Sequence, residues 1–265
     1  MSAQPSAAQL LAAVQRSPER VAAHDRAGWC GLYSEDGEVN DPVGSRPHRG
    51  HAAIGRFYDT FIAPNRIVFH VEHDLVCGMT VWRDLEVETR MSSGLETRVP
   101  MHLRYDLVEQ GGALKIRRLC AHWELPRMML RLLGAGRPGW STSLRLGPQM
   151  LAHQGLGGML GFMQGFSGVG GAGKRAAAGF LYAAARGDRQ AAFAQLATAA
   201  RLESGAGAAL APNDCMALLR EAGVGRMLAA GRNVSASLAL GGRPGIALFG
   251  FAPGQRLPGS VQLFV

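Results

Sequence analysis

Few side chains in this 265-residue chain combine a reactive type with a spacing that chemistry could use. Asp41 stands directly before Pro42. An aspartate there has two readings. It caps backbone N–H groups in a turn, or, inside apolar walls that lift its pKa, it serves as a proton-transferring base. His48 and His51, and His70 and His73, make two HxxH pairs. Residues three apart on a strand face opposite sides, so His70 and His73 do not chelate together. All four read as surface or turn histidines, and no metal is expected. The run Gly168-Val169-Gly170-Gly171-Ala172-Gly173-Lys174 imitates a phosphate-binding loop, but Arg175 stands where a Ser or Thr would hold Mg²⁺. No convincing strand precedes it either, so it reads as a glycine entry to a helix, and nucleotide binding is rejected. Cys30, Cys77, Cys120 and Cys215 are far apart and form no CxxC pair. Free thiols in a reducing cytoplasm are expected, and no cofactor is called for.

The elements that must position Asp41 follow from periodicity. Ala7 to about Arg16 is helical, and Ser17-Pro18-Glu19 reads as a capped start of a second helix. Gly37 ends the helical part, and Glu38–Asp41 forms a short strand entering the Pro42-Val43-Gly44 turn. Ile54, Phe57, Tyr58 and Phe61 are spaced as a helix face, which Pro64-Asn65 breaks. The period then falls to two: strands are expected around Ile67–Val71, Val81–Met91, Val99–Val108 and Leu114–Trp123, with Gly111-Gly112 as a hairpin turn. Helices followed by an antiparallel meander give an α+β fold, a curved sheet closing over helices as a cone. Residues 1–135 form this domain, and 136–173 a Gly-rich apolar bridge. Residues 174–265 repeat the order in degenerate form: helices from Lys174, a break at Gly187-Asp188, a strand at Arg201–Glu203, and a helix over Asp214–Glu221 capped by Asn213. Val224–Leu240, Ile246–Phe251 and Val261–Val265 complete it as strands. The fold expected is thus two tandem copies, with an unrelated α+β extension as the alternative for the second half.

The segment Leu32-Tyr33-Ser34-Glu35-Asp36-Gly37-Glu38-Val39-Asn40-Asp41-Pro42-Val43-Gly44 resembles the part of bacterial ketosteroid isomerases that carries their catalytic aspartate. Gly50, Ile54, Phe57 and Tyr58 fall at that family's spacing without gaps, and Ala121-His122-Trp123 resembles its last strand, where a tryptophan lines the pocket. Residues 8–127 thereby resemble a ketosteroid-isomerase-type domain of the nuclear transport factor 2-like superfamily. The resemblance implies that Asp41 is the general base, that Tyr33 and Tyr58 buttress an oxyanion hole, and that Tyr33, Phe57, Leu103 and Trp123 line the pocket. The family's primary oxyanion donor falls on Ser17, and its protonated aspartic acid falls near Leu103 or Tyr105. Tyr105, on the apolar face Met101-Leu103-Tyr105-Leu107, is expected to substitute as a phenolic donor. Asp41, Tyr58 and Tyr105 form the expected catalytic group.

Charge narrows the partners. Residues 1–135 hold sixteen basic and sixteen acidic side chains, so the net +8 belongs to residues 136–265. Those arginines are scattered singly without interleaved aromatics, and nucleic-acid binding is not expected. Residues 146–173 carry no formal charge, and Gly157, Gly161 and Gly165 recur at four-residue spacing. Polar residues and glycines make this a poor spanning segment; tight packing between domains, or contact with an apolar partner or membrane surface, is expected instead. No basic start followed by an apolar run suggests secretion, and a cytoplasmic protein is expected. The function expected is proton transfer on a small hydrophobic carbonyl compound, an isomerase or a related lyase or hydrolase. The alternatives are a non-catalytic module binding a hydrophobic ligand, and a membrane- or partner-associated protein acting through residues 146–173. An internal pseudo-dimer of the two halves, or a homodimer, is the expected assembly.

Overall fold

The computed structural model describes residues 4–91, 94–134, 148, 152–153 and 155–265. The chain divides into two compact units, Met1–Phe166 and Ser167–Val265.

The first unit opens with helix α1, Ala7–Ala22, whose N-terminus is closed by a reciprocal cap between Ser6 and Gln9. The helix runs on through Pro18, so the second start expected at Ser17 does not occur. The reason is its buried stripe: Leu10, Ala13, Val14, Ser17 and Val21 keep helical spacing across the proline. Burial of that continuous face outweighs one missing hydrogen bond. Helix α2, Arg26–Cys30, follows, capped by Asp25 and burying Trp29. Strand β1, Tyr33–Asn40, and the two-residue β2, His48–Arg49, bracket the Asp41–Ser45 turn. Helix α3, Gly50–Phe57, continues into a wider turn at Tyr58–Ile62.

Four long strands then form the meander: β3 Arg66–Cys77, β4 Thr80–Arg90, β5 Glu96–Gln110 and β6 Ala113–His122. The six-stranded sheet has the order β2-β1-β6-β5-β4-β3, antiparallel except where β1 lies parallel to β6. Gly111 and Gly112 both adopt positive φ, +60° and +74°, as the expected two-residue hairpin turn requires. Helix α4, Leu125–Gly134, leaves the sheet, and residues 155–163 form a further helix, α5. The core gathers one face of the sheet against α1, α2 and α3.

The second unit contains α6 Gly170–Ala185, α7 Arg189–Phe193, β7 Arg201–Ser204, α8 Pro212–Leu219, β8 Gly223–Ala230, β9 Asn233–Leu240, β10 Arg243–Gly250 and β11 Ser260–Phe264. Its five-stranded sheet has the order β7-β11-β10-β9-β8, with β7 parallel to β11. Two local expectations fail here. The run Val224–Leu240 is not one strand but a hairpin turning at Gly231, which takes φ +53°. Asn213 does not cap α8: it lies inside the first turn, where its Oδ1 accepts from Arg189 Nη1 at 2.6 Å, and Pro212 starts the helix instead.

Candidate active site

The pleat of β5 presents Thr97, Val99, Met101, Leu103 and Tyr105 in alternation to one side, and these residues wall a cavity of about 230 Å³. Val87, Thr89 and Met91 continue the wall from β4 and its end, and Ile67 and Phe69 from β3. Across from the sheet stand Ser17 and Val21 of α1, Trp29 of α2, and Phe57, Phe61 and Ile62 around α3. Met128 of α4 and Phe162 of α5 complete it. Aspartate 41 supplies the one carboxyl among these lining side chains.

Asp41 comes immediately after β1, joined to Pro42 by a cis peptide bond. Its turn is held on three sides. Val43 N donates to Ala121 O at 2.9 Å, tying it to β6. Asn40 Nδ2 donates to Ser45 O at 2.9 Å, and Ser45 Oγ to Pro42 O at 2.6 Å. Arg46 N donates to Gly161 O of α5 at 3.0 Å. Glycine is needed at 161: a Cβ there would sit 2.7 Å from the Arg46 Cβ.

The indole Nε1 of Trp123 donates to Asp41 Oδ1 at 2.6 Å. Oδ2 makes no hydrogen bond among the described residues, which leaves its lone pairs free to take a proton. Burial against apolar walls pushes the Asp41 pKa up to about 6, and the Trp123 hydrogen bond pulls against that rise. The carboxyl is therefore mostly ionised at neutral pH and more basic than a solvated aspartate.

Tyr105 faces the same cavity from β5, paired in register with Leu119 and Val81. Burial raises its phenol to about 12, so it stays protonated and able to donate. Ser17 lines the same cavity, and its Oγ accepts from Trp29 Nε1 at 3.0 Å. Sequence reasoning placed Ser17 at the family's donor position but missed Trp29, because the contact joins α1 to α2 and follows no spacing rule. Phe162 was missed as well; it stacks on Phe61 with centroids 5.7 Å apart, from a helix far along the chain.

The expected residues divide into two groups. Asp41, Tyr105, Phe57, Leu103 and Trp123 come together around the cavity. Tyr33 and Tyr58 do not line it. They pack on Trp29, with ring centroids 4.9 and 5.5 Å away, and their hydroxyls are buried with no hydrogen-bond partner among the described residues. Burial raises both phenols above their ordinary range. The histidines also separate: His48 packs on Phe57 at 5.1 Å and is pushed down to about 4 by burial and then by Arg56. His51 Nε2 lies 3.1 Å from Tyr33 O, and His70 pairs with Glu88 at 3.0 Å. Among the described residues no helix is long and apolar enough to cross a membrane.

Residues 14–119 match the SnoaL-like domain family. A Δ5-3-ketosteroid isomerase from Mycobacterium sp. is 31% identical, over 44% of this chain and 95% of that one, with a TM-score of 0.41. A Mycobacterium tuberculosis protein in complex with estradiol-17β-hemisuccinate is 28% identical over 44% of this chain and 95% of its own, also at 0.41. A computationally designed 17-OHP binder is 26% identical with the same coverage, 44% and 95%, and the same TM-score, 0.41.

Proposed function

Through its first unit the chain belongs to the SnoaL-like family of the nuclear transport factor 2-like and ketosteroid isomerase-like superfamily, and from that premise we propose that this unit transfers protons on a small hydrophobic carbonyl compound. The observation that carries the reading is the lone carboxylate of an apolar cavity, fixed by Trp123 and facing the same space as a protonated phenol. Asp41 removes a proton from the carbon beside the carbonyl. The resulting enolate oxygen accepts from the Tyr105 hydroxyl. Asp41 then returns the proton, at the same carbon or at one further along a conjugated system, as the neutral product forms.

The placement of Ser17 near Tyr105 supports the role of the phenol as donor. An indole N–H can only donate, so Trp29 occupies one lone pair of Ser17 Oγ. The Ser17 proton, given to the Tyr105 oxygen, leaves the phenolic proton to point at a bound oxyanion. Polarised chains of this kind strengthen the terminal bond. One oriented donor is worth on the order of 10²–10³ in rate.

A non-catalytic binding role is the second reading, favoured by one observation: the family's two donor positions fall on Ser17 and near Leu103 or Tyr105, where no carboxyl group stands. Asp41→Asn separates the two. Deuterium uptake beside the carbonyl of 2-tetralone, with 2-naphthol fluorescence as the binding probe, should show uptake lost and binding kept. Equal uptake in the variant would leave only the binding role.

The second unit reads as a degenerate copy of the first. Support comes from its order of elements, two helices, a strand, a helix and a four-stranded meander, and from the parallel pairing of its first and last strands. The place that corresponds to Asp41 falls on Glu203-Ser204-Gly205, and Glu203 pairs with Arg201 at 3.7 Å. A one-residue shift along a strand turns the Glu203 side chain to the other face, and this copy reads as non-catalytic.

A further inference from the structure

Helix α5 is apolar on both of its sides. Its inner side packs on the first unit, with Gly161 buried against Arg46 and Phe162 in the cavity wall. Its outer side carries Leu156, Leu160 and Met163, which are 65%, 64% and 53% exposed. Steps of four and three residues put them in one stripe along the helix. On α4, the other late helix that walls the cavity, Leu130 is 71% exposed. A helix that is hydrophobic all round belongs in a core or against lipid, and exposed apolar side chains in such a stripe mark an interaction surface.

Charge identifies the occupant. Between Glu124 and the end of the first unit at Phe166 the sequence has four arginines and no acidic residue. Arg127 and Arg131 are exposed on α4, and the surface pair of Arg127 with Glu124, at 3.5 Å, is worth little to it. A second copy of this chain would set these cations against their own kind. A bilayer with anionic headgroups complements them and takes up the leucines below the headgroup level. Among the described residues no helix is long and apolar enough to cross.

We propose that the outer faces of α4 and α5 dock on the anionic surface of a lipid bilayer, with Leu130, Leu156, Leu160 and Met163 entering it and Arg127 and Arg131 meeting the headgroups. The same helices give Met128 and Phe162 to the cavity, so an apolar ligand passes from lipid to pocket without crossing water. This surface is independent of any chemistry at Asp41.

Flotation of the full chain with two kinds of vesicle tests the proposal, phosphatidylcholine alone and phosphatidylcholine mixed with phosphatidylglycerol. Binding to the mixed vesicles that weakens as salt is raised is the expected result. The Leu156→Gln/Leu160→Gln variant should bind at least about tenfold more weakly while keeping its affinity for 2-naphthol, which reports an intact cavity. Arg127→Gln/Arg131→Gln should lose much of the salt dependence. The single Leu160→Gln variant repeats the test with less disturbance of the fold. No flotation with mixed vesicles, or flotation unchanged by the leucine substitutions, overturns the proposal. So does a dimer in sedimentation that the leucine substitutions dissociate, which would assign the face to a second copy.

Discussion

Trp123 holds Asp41 by one oxygen: its Nε1–H donates to Oδ1 at 2.6 Å while Oδ2 stays unbonded among the described residues. A tryptophan in this place orients the base as well as walling the pocket. Its hydrogen bond stabilises the ionised carboxylate and so opposes the effect of burial. Trp123→Phe keeps the wall and removes the donor. The Asp41 pKa should then move further up, and the acid limb of any pH–rate profile should move with it. An unmoved limb would show that the hydrogen bond does not tune the base.

Burial of Asp41 also has a cost in stability. Its folded pKa of about 6 lies above the ordinary 3.8. The native state therefore binds more protons than the unfolded chain between those values, and stability falls as pH rises through that window. Above the window the full penalty, on the order of 3 kcal/mol, is present. Asp41→Asn should raise the melting temperature at neutral pH, and the gain should shrink toward pH 4. Thermal melts of both proteins across that range check it; a constant difference would contradict it.

Tyr105→Phe removes one hydroxyl from a well-packed wall. Proton exchange on 2-tetralone should fall by about 10²–10³, with 2-naphthol affinity changed little. Ser17→Ala should give a smaller loss in the same direction, since it only unsets the orientation of the phenol. If neither changes the rate, Tyr105 is not the donor.

Tyr33 and Tyr58 make the opposite prediction. Their hydroxyls are buried without a partner among the described residues, and such a group costs about 1–3 kcal/mol. Phenylalanine at either place should be neutral or stabilising in denaturant melts and should leave exchange rates intact. A large rate loss in Tyr58→Phe would return it to the catalytic group, as the family resemblance implies.

The matched family region ends at residue 119, yet Phe162 walls the cavity. Phe162→Ala should weaken 2-naphthol binding about tenfold, in line with the loss of a partly buried aromatic contact. Unchanged affinity would mean that α5 merely lies over a pocket complete without it.

How much of this was legible in the sequence depended on distance along the chain. The alternation of β5 and the order of the meander were readable because a period of two is a local signal, and Asp41 and Trp123 stood inside segments with a family likeness. The path of α1 through Pro18 was not readable, because the proline is a local signal for a start and the buried stripe that overrides it is tertiary. The hairpin at Gly231 was hidden in a long run of small and apolar residues where a single glycine carries little contrast. Trp29, Met128 and Phe162 reach the site from helices that no spacing rule connects to it. Tyr33 and Tyr58 were placed by resemblance alone, and in the fold their rings turn to Trp29.

The titration of the Asp41 carboxyl tests the central claim most directly. With aspartate labelled at its side-chain carbon, its ¹³C resonance, assigned by its loss in Asp41→Asn, is followed across about pH 3 to 8. The account predicts a midpoint near 6. A midpoint at or below the ordinary aspartate value would place the acid in solvent and contradict its role as a base.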